Sequence, residues 1–303
     1  MRVFITGATG FIGSAVVQEL IGAGHQVLGA ARSDAGAALL AAAGAEVHRG
    51  DFADLDGLVS GAADADGVIH LAFQHDFTDF EASARTERRA VEMLGESLAG
   101  SGRPFVVTSG TAGLPPGRVG TEEDGFVADS PAAARMPTEA AALAFAARDV
   151  RVSAVRLAPS VHGVGDHGFV PRLIDLARER GVSAYVGDGA NRWPAVHRLD
   201  AARLYRLALE SAPAGTRLHG VNDEGVPFRE IATVIGRRLD LPVTAIPAAE
   251  ALAHFGWLGA LVGRDIPASS AGTRKLLDWR PEQPALLADL AEGHYFGQAG
   301  ARA

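Results

Sequence analysis

Thr6-Gly7-Ala8-Thr9-Gly10-Phe11-Ile12-Gly13 decides the fold. It follows the apolar run Val3-Phe4-Ile5, which reads as a buried strand. After it, apolar residues recur at Ile12, Val16 and Leu20 and at Ala15, Val17 and Ile21, the period of a helix. Glycines spaced G-x-x-G-x-x-G between a strand and a helix let the backbone turn tightly and approach a pyrophosphate. The helix N-terminus adds free N–H groups and the positive end of its dipole. An ordinary tight turn is the weaker reading, because strand, turn, amphipathic helix and a second strand, Val27–Ala31, stand in the required order.

The alternation continues outward. A helix is expected over Ala35–Ala43, strands at Glu46–His48 and Gly67–Ala72, and a helix from Phe77 to Leu98. A strand at Phe105–Thr108, a helix from Pro137 to Ala147 and a strand at Val152–Leu157 follow. Strands alternating with helices imply an α/β fold with a parallel, doubly wound sheet. Ligands of such sheets lie outside the carboxyl ends of the strands. That selects Gly7–Gly13, Arg32, Asp51, Ala72–His75, Ser109–Gly113 and Pro159–Gly163 as site loops. Residues 1–163 are expected to form a dinucleotide-binding domain, with 195–221 returning to it and the chain rejoining the sheet near Ala195–Asp200. Residues 164–194 and 222–303 form a smaller C-terminal substrate lobe, with helices at Val170–Arg180, Ala201–Ser211 and Phe228–Leu239.

Composition narrows the function. The 28 basic and 36 acidic residues leave a formal charge of −8, which argues against a nucleic-acid partner. There is no cysteine, so disulfides, thiolate metal sites and a cysteine nucleophile are excluded. No apolar run approaches the ~20 residues of a membrane span, and the chain opens directly on a strand. A cytoplasmic protein without a membrane partner is therefore expected. Lys275 is the sole lysine.

Several residues suit a nicotinamide dinucleotide. Gly7, Gly10 and Gly13, with Thr9, Phe11 and Ile12 between them, would cradle the phosphates. Arg32, with Ser33, follows the second strand, where a 2′-phosphate would need a cation, so NADP (NADPH) is favoured over NAD; Asp34 nearby argues the other way. Asp51 would accept from the adenine amino group with Phe52 beside the ring, or would simply cap the next turn.

These stretches resemble the extended short-chain dehydrogenase/reductase superfamily, of the epimerase/dehydratase type. The resemblance rests on TGATGFIG, Gly50-Asp51, Val68–Ala72, Val107–Thr111, Arg156–Gly163 and Val196–Asp200, and spans about Met1 to Asp200. It implies a Rossmann-type sheet. It also implies cofactor contacts from Leu71, Ala72, Phe73 and Thr108, and from Pro159 and Val161 past the nicotinamide. The helices Phe77–Leu98 and Pro137–Ala147 correspond to those that pair family members into dimers, so a homodimer is expected.

The family's chemistry uses a Tyr-x-x-x-Lys pair, and here the sequence departs from it. Ala271 stands four residues before Lys275, and Arg135 and Glu139 occupy the expected slots. Arg135 and Glu139 would form a surface i, i+4 pair worth only ~0.3–0.5 kcal/mol, or else Arg135 faces the cofactor or a substrate carboxylate. Ser109 or Thr111 would hold a substrate oxygen, or merely satisfy backbone at the strand end. A proton would come from water or from a histidine, His75 or His162 first. His167, Trp193 and His197 would line the substrate cleft, Trp193 being equally suited to the lobe core. These histidines lack metal-ligand spacing, so no metal is expected. The expected function is NADP-dependent reduction of a carbonyl, imine or activated C=C of a small molecule by hydride transfer. A non-catalytic NADP-binding sensor or regulator on the same fold is the alternative, and an epimerase or dehydratase a lower one.

Overall fold

The computed structural model describes residues 1–51, 54–74, 79–130 and 132–297. The first half alternates as β1 (Arg2–Thr6), α1 (Phe11–Gly22), β2 (Gln26–Ala31), α2 (Asp34–Ala42), β3 (Glu46–Arg49) and α3 (Leu55–Ala63). It continues through β4 (Gly67–His70), α4 (Phe80–Leu98), β5 (Pro104–Gly110), α5 (Met136–Ala144), β6 (Arg151–Leu157) and β7 (Ser160–His162). Next come α6 (Phe169–Arg180), β8 (Ser183–Val186), β9 (Arg192–His197), α7 (Arg198–Ser211), β10 (Thr216–Gly220), β11 (Asp223–Pro227), α8 (Phe228–Leu239) and β12 (Val243–Ile246). The short helices α9 (Ala251–Phe255), α10 (Gly259–Val262), α11 (Ala271–Leu277) and α12 (Leu286–Glu292) close the order.

Among the described residues, seven parallel strands form the central sheet in the order β10-β6-β5-β4-β1-β2-β3. The order reverses between β1 and β4, and the glycine turn leaves β1 at that point. Side chains alternate across the sheet. Val3 and Ile5 face Val16 and Leu20 of α1 and Leu204 and Ala208 of α7, while Phe4, Val68 and Phe105 face Leu58 of α3 and Val91 and Leu94 of α4. All are buried, and each of the valine, leucine, isoleucine and phenylalanine side chains contributes about 1.5–3 kcal/mol.

Local chemistry sets the helix starts. Ser33, Asp54 and Asp79 cap α2, α3 and α4 by accepting from Gly36, Gly57 and Ala82 N–H, each worth about 1 kcal/mol. Helix α3 has no counterpart in the pattern read from the sequence: it is short and carries Gly57 and Gly61.

The second half holds its own core around Trp193, Phe228, Leu258 and Leu286. Here one expectation is corrected. Ala195–His197 does not rejoin the central sheet. It lies in β9, pairs parallel with β7 and antiparallel with β11, and so sits in a separate small sheet. The segment that reaches the main sheet comes later: α7 packs on it and β10 extends its edge. Helices α4 and α5 pack on one another and on the sheet of their own chain. No described helix is long and apolar enough to cross a membrane.

Candidate active site

The glycine turn is shaped by close approach. Gly7 has φ +70°, and a Cβ there would stand 2.7 Å from the Ala72 nitrogen. A Cβ on Gly13 would overlap the Gly7 carbonyl oxygen. Gly10 caps α1 without a side-chain hydrogen bond, so no capping side chain competes for the first-turn N–H groups. Leu71 N donates to Thr6 O (3.1 Å) and Ala72 N to Thr6 Oγ1 (3.4 Å), which locks the β4 end against the turn. Thr9 is exposed; Phe11 and Ile12 are half-buried. Backbone N–H groups at a helix N-terminus without a capping side chain fit a dinucleotide's pyrophosphate. Gly13→Ala is expected to cost about 1–3 kcal/mol of stability, as overpacking does, and to weaken dinucleotide binding. Titration and melting curves check this, and native values for both would remove the cradle.

At the adenine end, Arg32 is exposed just past β2. Ser33 Oγ is engaged in capping α2 through Gly36 N (3.1 Å). Asp34 is ion-paired with Arg49, whose Nη1 also donates to Ser33 O (2.8 Å). Asp51 is half-buried, and its carbonyl accepts from Asp54 N (2.9 Å). Phe52 and His75 lie outside the described residues.

The ends of β4 and β5 hold a cation. Arg135 Nε donates to Glu87 Oε2 (2.9 Å), its Nη2 pairs with Glu87 Oε1 and also reaches Thr108 O (3.1 Å), and its guanidinium lies 4.3 Å from the centre of the Phe73 ring. Glu87 is 1 % exposed. Burial pushes its carboxyl up, and Arg135 pulls it back. Thr108 Oγ1 donates to His70 O (2.8 Å) and accepts from the Tyr205 hydroxyl (2.8 Å). Burial drives the Tyr205 phenol far above its ordinary value. His70 is pushed down to about 3, first by burial and then by Arg135, so its ring, held by Thr6 Oγ1 (2.8 Å), is neutral.

The surface pair of Arg135 with Glu139 is not formed. Arg135 precedes the first turn of α5 and swings toward α4, whereas Glu139 faces β6. Buried Glu139 accepts from Arg156 Nε (3.0 Å) and Nη2 (2.6 Å) and from Arg217 Nε (3.2 Å). Arg156 Nη1 also donates to Asp124 O (2.8 Å). Ser109, paired in register with Arg156, hydrogen-bonds Glu139 as well. These donors hold the Glu139 carboxyl below its ordinary value against burial, the largest single influence. Thr111 is buried, and its Oγ1 has no partner among the described residues.

Two further expectations are corrected. Trp193 walls no cleft: it is fully buried in the lobe core, 5.0 Å from the Phe228 ring and 6.0 Å from Phe169. His162 is also fully buried, because β7 runs under α12. Its Nδ1 donates to Asp289 (2.8 Å), and burial pushes it down, so it is a neutral structural histidine. His197 is nearly buried, 5.3 Å from His162, and its Nδ1 accepts from Leu199 N. Pro159 and Val161 are half-buried on either side of Ser160. His167 is exposed, its ring 5.8 Å from that of Phe11, which places it over the start of α1 rather than in the lobe.

Comparison with known proteins agrees with this geometry. The chain is 50 % identical to an uncharacterised protein of Saccharomyces cerevisiae over 96 % of its own length and 98 % of the yeast protein. It is 28 % identical to the 2-alkyl-3-oxoalkanoate reductase of Stenotrophomonas maltophilia, over 76 % of this chain and 73 % of that one. The structure of MoeE5 in complex with UDP-glucose and NAD matches with a TM-score of 0.76 at 25 % identity, covering 96 % of both chains. The model of the NAD dependent epimerase/dehydratase family matches residues 3–222, most of the chain. With the glycine turn at the switch point of a parallel sheet, the match assigns the protein: it belongs to the NAD-dependent epimerase/dehydratase family.

Proposed function

We propose that the chain is an NADP-dependent oxidoreductase that reduces a carbonyl, imine or activated C=C of a small molecule. The observation that carries the reading is Arg135, a cation placed between the ends of β4 and β5 at the sheet's ligand edge. When bound, the nicotinamide supplies the hydride. The chain's own residues do the rest. The Gly7–Gly13 turn orients the dinucleotide, and the Arg135 guanidinium stabilises negative charge developing on the acceptor atom. Ser109 and Thr111, at the end of β5, are the hydroxyls assigned to hold that atom; Thr111 Oγ1 has no partner among the described residues, and Ser109 lies beside Glu139. Water provides the proton, since the His162 ring is held by Asp289 beneath α12. The S. maltophilia relative, named as a reductase, supports the direction of this reading. A homodimer through α4 and α5 belongs to the same reading.

Titration with NADPH and NADH, followed by nicotinamide absorbance against aldehydes, ketones, imines and enones, tests the proposal. Turnover of one class is expected. Tight binding with no turnover would transfer the reading to a nucleotide sensor.

The NADP preference rests on exposed Arg32 at the end of β2, with the Asp34 carboxylate held by Arg49. Arg32→Glu is expected to shift the NADPH-to-NADH affinity ratio toward NADH by at least about tenfold, the loss of one charge-assisted contact. An unchanged ratio would remove Arg32 from the 2′-phosphate.

A further inference from the structure

Arg198 opens α7 beside the glycine turn; the sequence places it in the Val196–Asp200 stretch but assigns it no role. Its guanidinium lies 4.8 Å from the centre of the Phe11 ring, and Phe11 opens α1. Nη2 donates to Ser14 Oγ (3.3 Å), and Nη1 donates to Val164 O (2.9 Å). Nε is buried and has no partner among the described residues. Among those residues no carboxylate pairs with it, and burial alone holds the guanidinium below its ordinary value.

The electrostatics of this placement are unfavourable without an anion. A cation is least welcome at a helix N-terminus. Arg198 stands at two, those of α1 and α7, which pack side by side. The fold nevertheless accommodates it. The Gly163 and Gly165 positions lie against its side chain, and a Cβ on Gly163 (φ +133°) would stand 3.1 Å from Arg198 Cγ. The loop after β7 is thereby drawn over the turn, with His167 at the edge of the Phe11 ring.

We propose that Arg198 is a pyrophosphate-binding residue, reaching from the start of α7 across Phe11 to the phosphates held by the Gly7–Gly13 turn. The inference rests on reading that turn as a dinucleotide site. Its ligand chemistry is the doubly anionic diphosphate bridge, and the consequence is selectivity for dinucleotides over mononucleotides. The guanidinium supplies the countercharge, with its unpartnered Nε–H as a further donor, to an anion that two helix N-termini already favour.

The test compares ADP-ribose, which carries the bridge, with AMP, which does not, by ligand-observed NMR titration of the full chain. Wild type, Arg198→Gln and Arg198→Lys are measured side by side. Arg198→Gln is expected to weaken ADP-ribose at least about tenfold, as loss of a charged hydrogen-bond donor does, and to leave AMP within about twofold, a difference too small to reflect a lost contact. Arg198→Lys, which keeps the charge without the fork, is expected to fall between. Equal weakening of both ligands would make Arg198 a structural residue, and unchanged ADP-ribose affinity would remove the contact; either overturns the proposal. A wild-type chain that binds neither ADP-ribose nor NAD(P) would instead overturn the dinucleotide reading beneath it.

Discussion

Arg135→Met is expected to lower turnover by at least about a hundredfold, the effect of removing one electrostatic donor from a reacting centre. It should also destabilise the fold by about 3–5 kcal/mol, because it strands a buried carboxylate. The two effects have different origins. Glu87 is 1 % exposed and takes two hydrogen bonds from Arg135. Without the guanidinium, its carboxylate keeps the desolvation cost and loses what offset it. Burial already pushes Glu87 up, and Arg135 is what pulls it back, so the single variant raises it further. The variant should therefore be least destabilised at acid pH, where Glu87 is protonated in both states, and progressively worse as pH rises. Glu87→Gln combined with Arg135→Met separates structure from chemistry. The double variant should regain most of the stability, since a neutral amide replaces the stranded charge, and regain none of the turnover. Melting curves and nicotinamide absorbance on the three variants check it. Recovery of turnover in the double variant would mean that Arg135 merely neutralises Glu87.

The dinucleotide half of the molecule is legible because its signals are local. A glycine turn between strand and helix needs only a dozen residues to be recognised, and a parallel, doubly wound sheet then follows from the alternation of elements. The other half of the site was hidden because its contacts join residues far apart. Arg135 and Glu87 are 48 positions apart, and Arg156 and Glu139 are 17 apart. A signal was nevertheless present. Glu87 interrupts the inward stripe of α4 formed by Ala84, Ala90, Val91, Leu94 and Leu98. Arg156 is a charge among the buried Val152, Ala154, Val155 and Leu157 of β6. A charge on an apolar face demands a buried partner, so two such charges point to hidden ion pairs. The i, i+4 spacing of Arg135 and Glu139 misled for the opposite reason. It holds only inside a helix, and Arg135 stands at the boundary of α5. His162 misled because loop position is a weak guide to burial: it follows β6 closely but is sealed under α12.

The second large effect concerns the ion cluster behind Ser109. Arg156→Met is expected to cost about 3–5 kcal/mol, the usual penalty for breaking a buried pair from one side. Arg156 is 1 % exposed, and its removal leaves Glu139, at 5 %, with Arg217 and Ser109 alone. Here the pH dependence runs opposite to that of Glu87. Arg156, Ser109 and Arg217 together overcome burial and hold Glu139 below its ordinary value, so the unfolded chain binds the proton more readily than the folded one. The stabilisation from this carboxylate is therefore complete above the unfolded carboxylate value of about 4.3. It is lost as pH falls from there through the depressed folded value. Glu139→Gln should flatten the acid limb of the stability profile, and Glu87→Gln should not. Both glutamates meet arginine in the interior. Glu139 has two guanidiniums and a hydroxyl, whereas Glu87 has one guanidinium, so one carboxyl is driven down and the other up. Denaturant melts of both variants between about pH 3 and pH 7, the range that spans the ordinary carboxylate value, read this directly. Parallel acid limbs for Glu139→Gln and wild type would show that the cluster holds no depressed carboxylate.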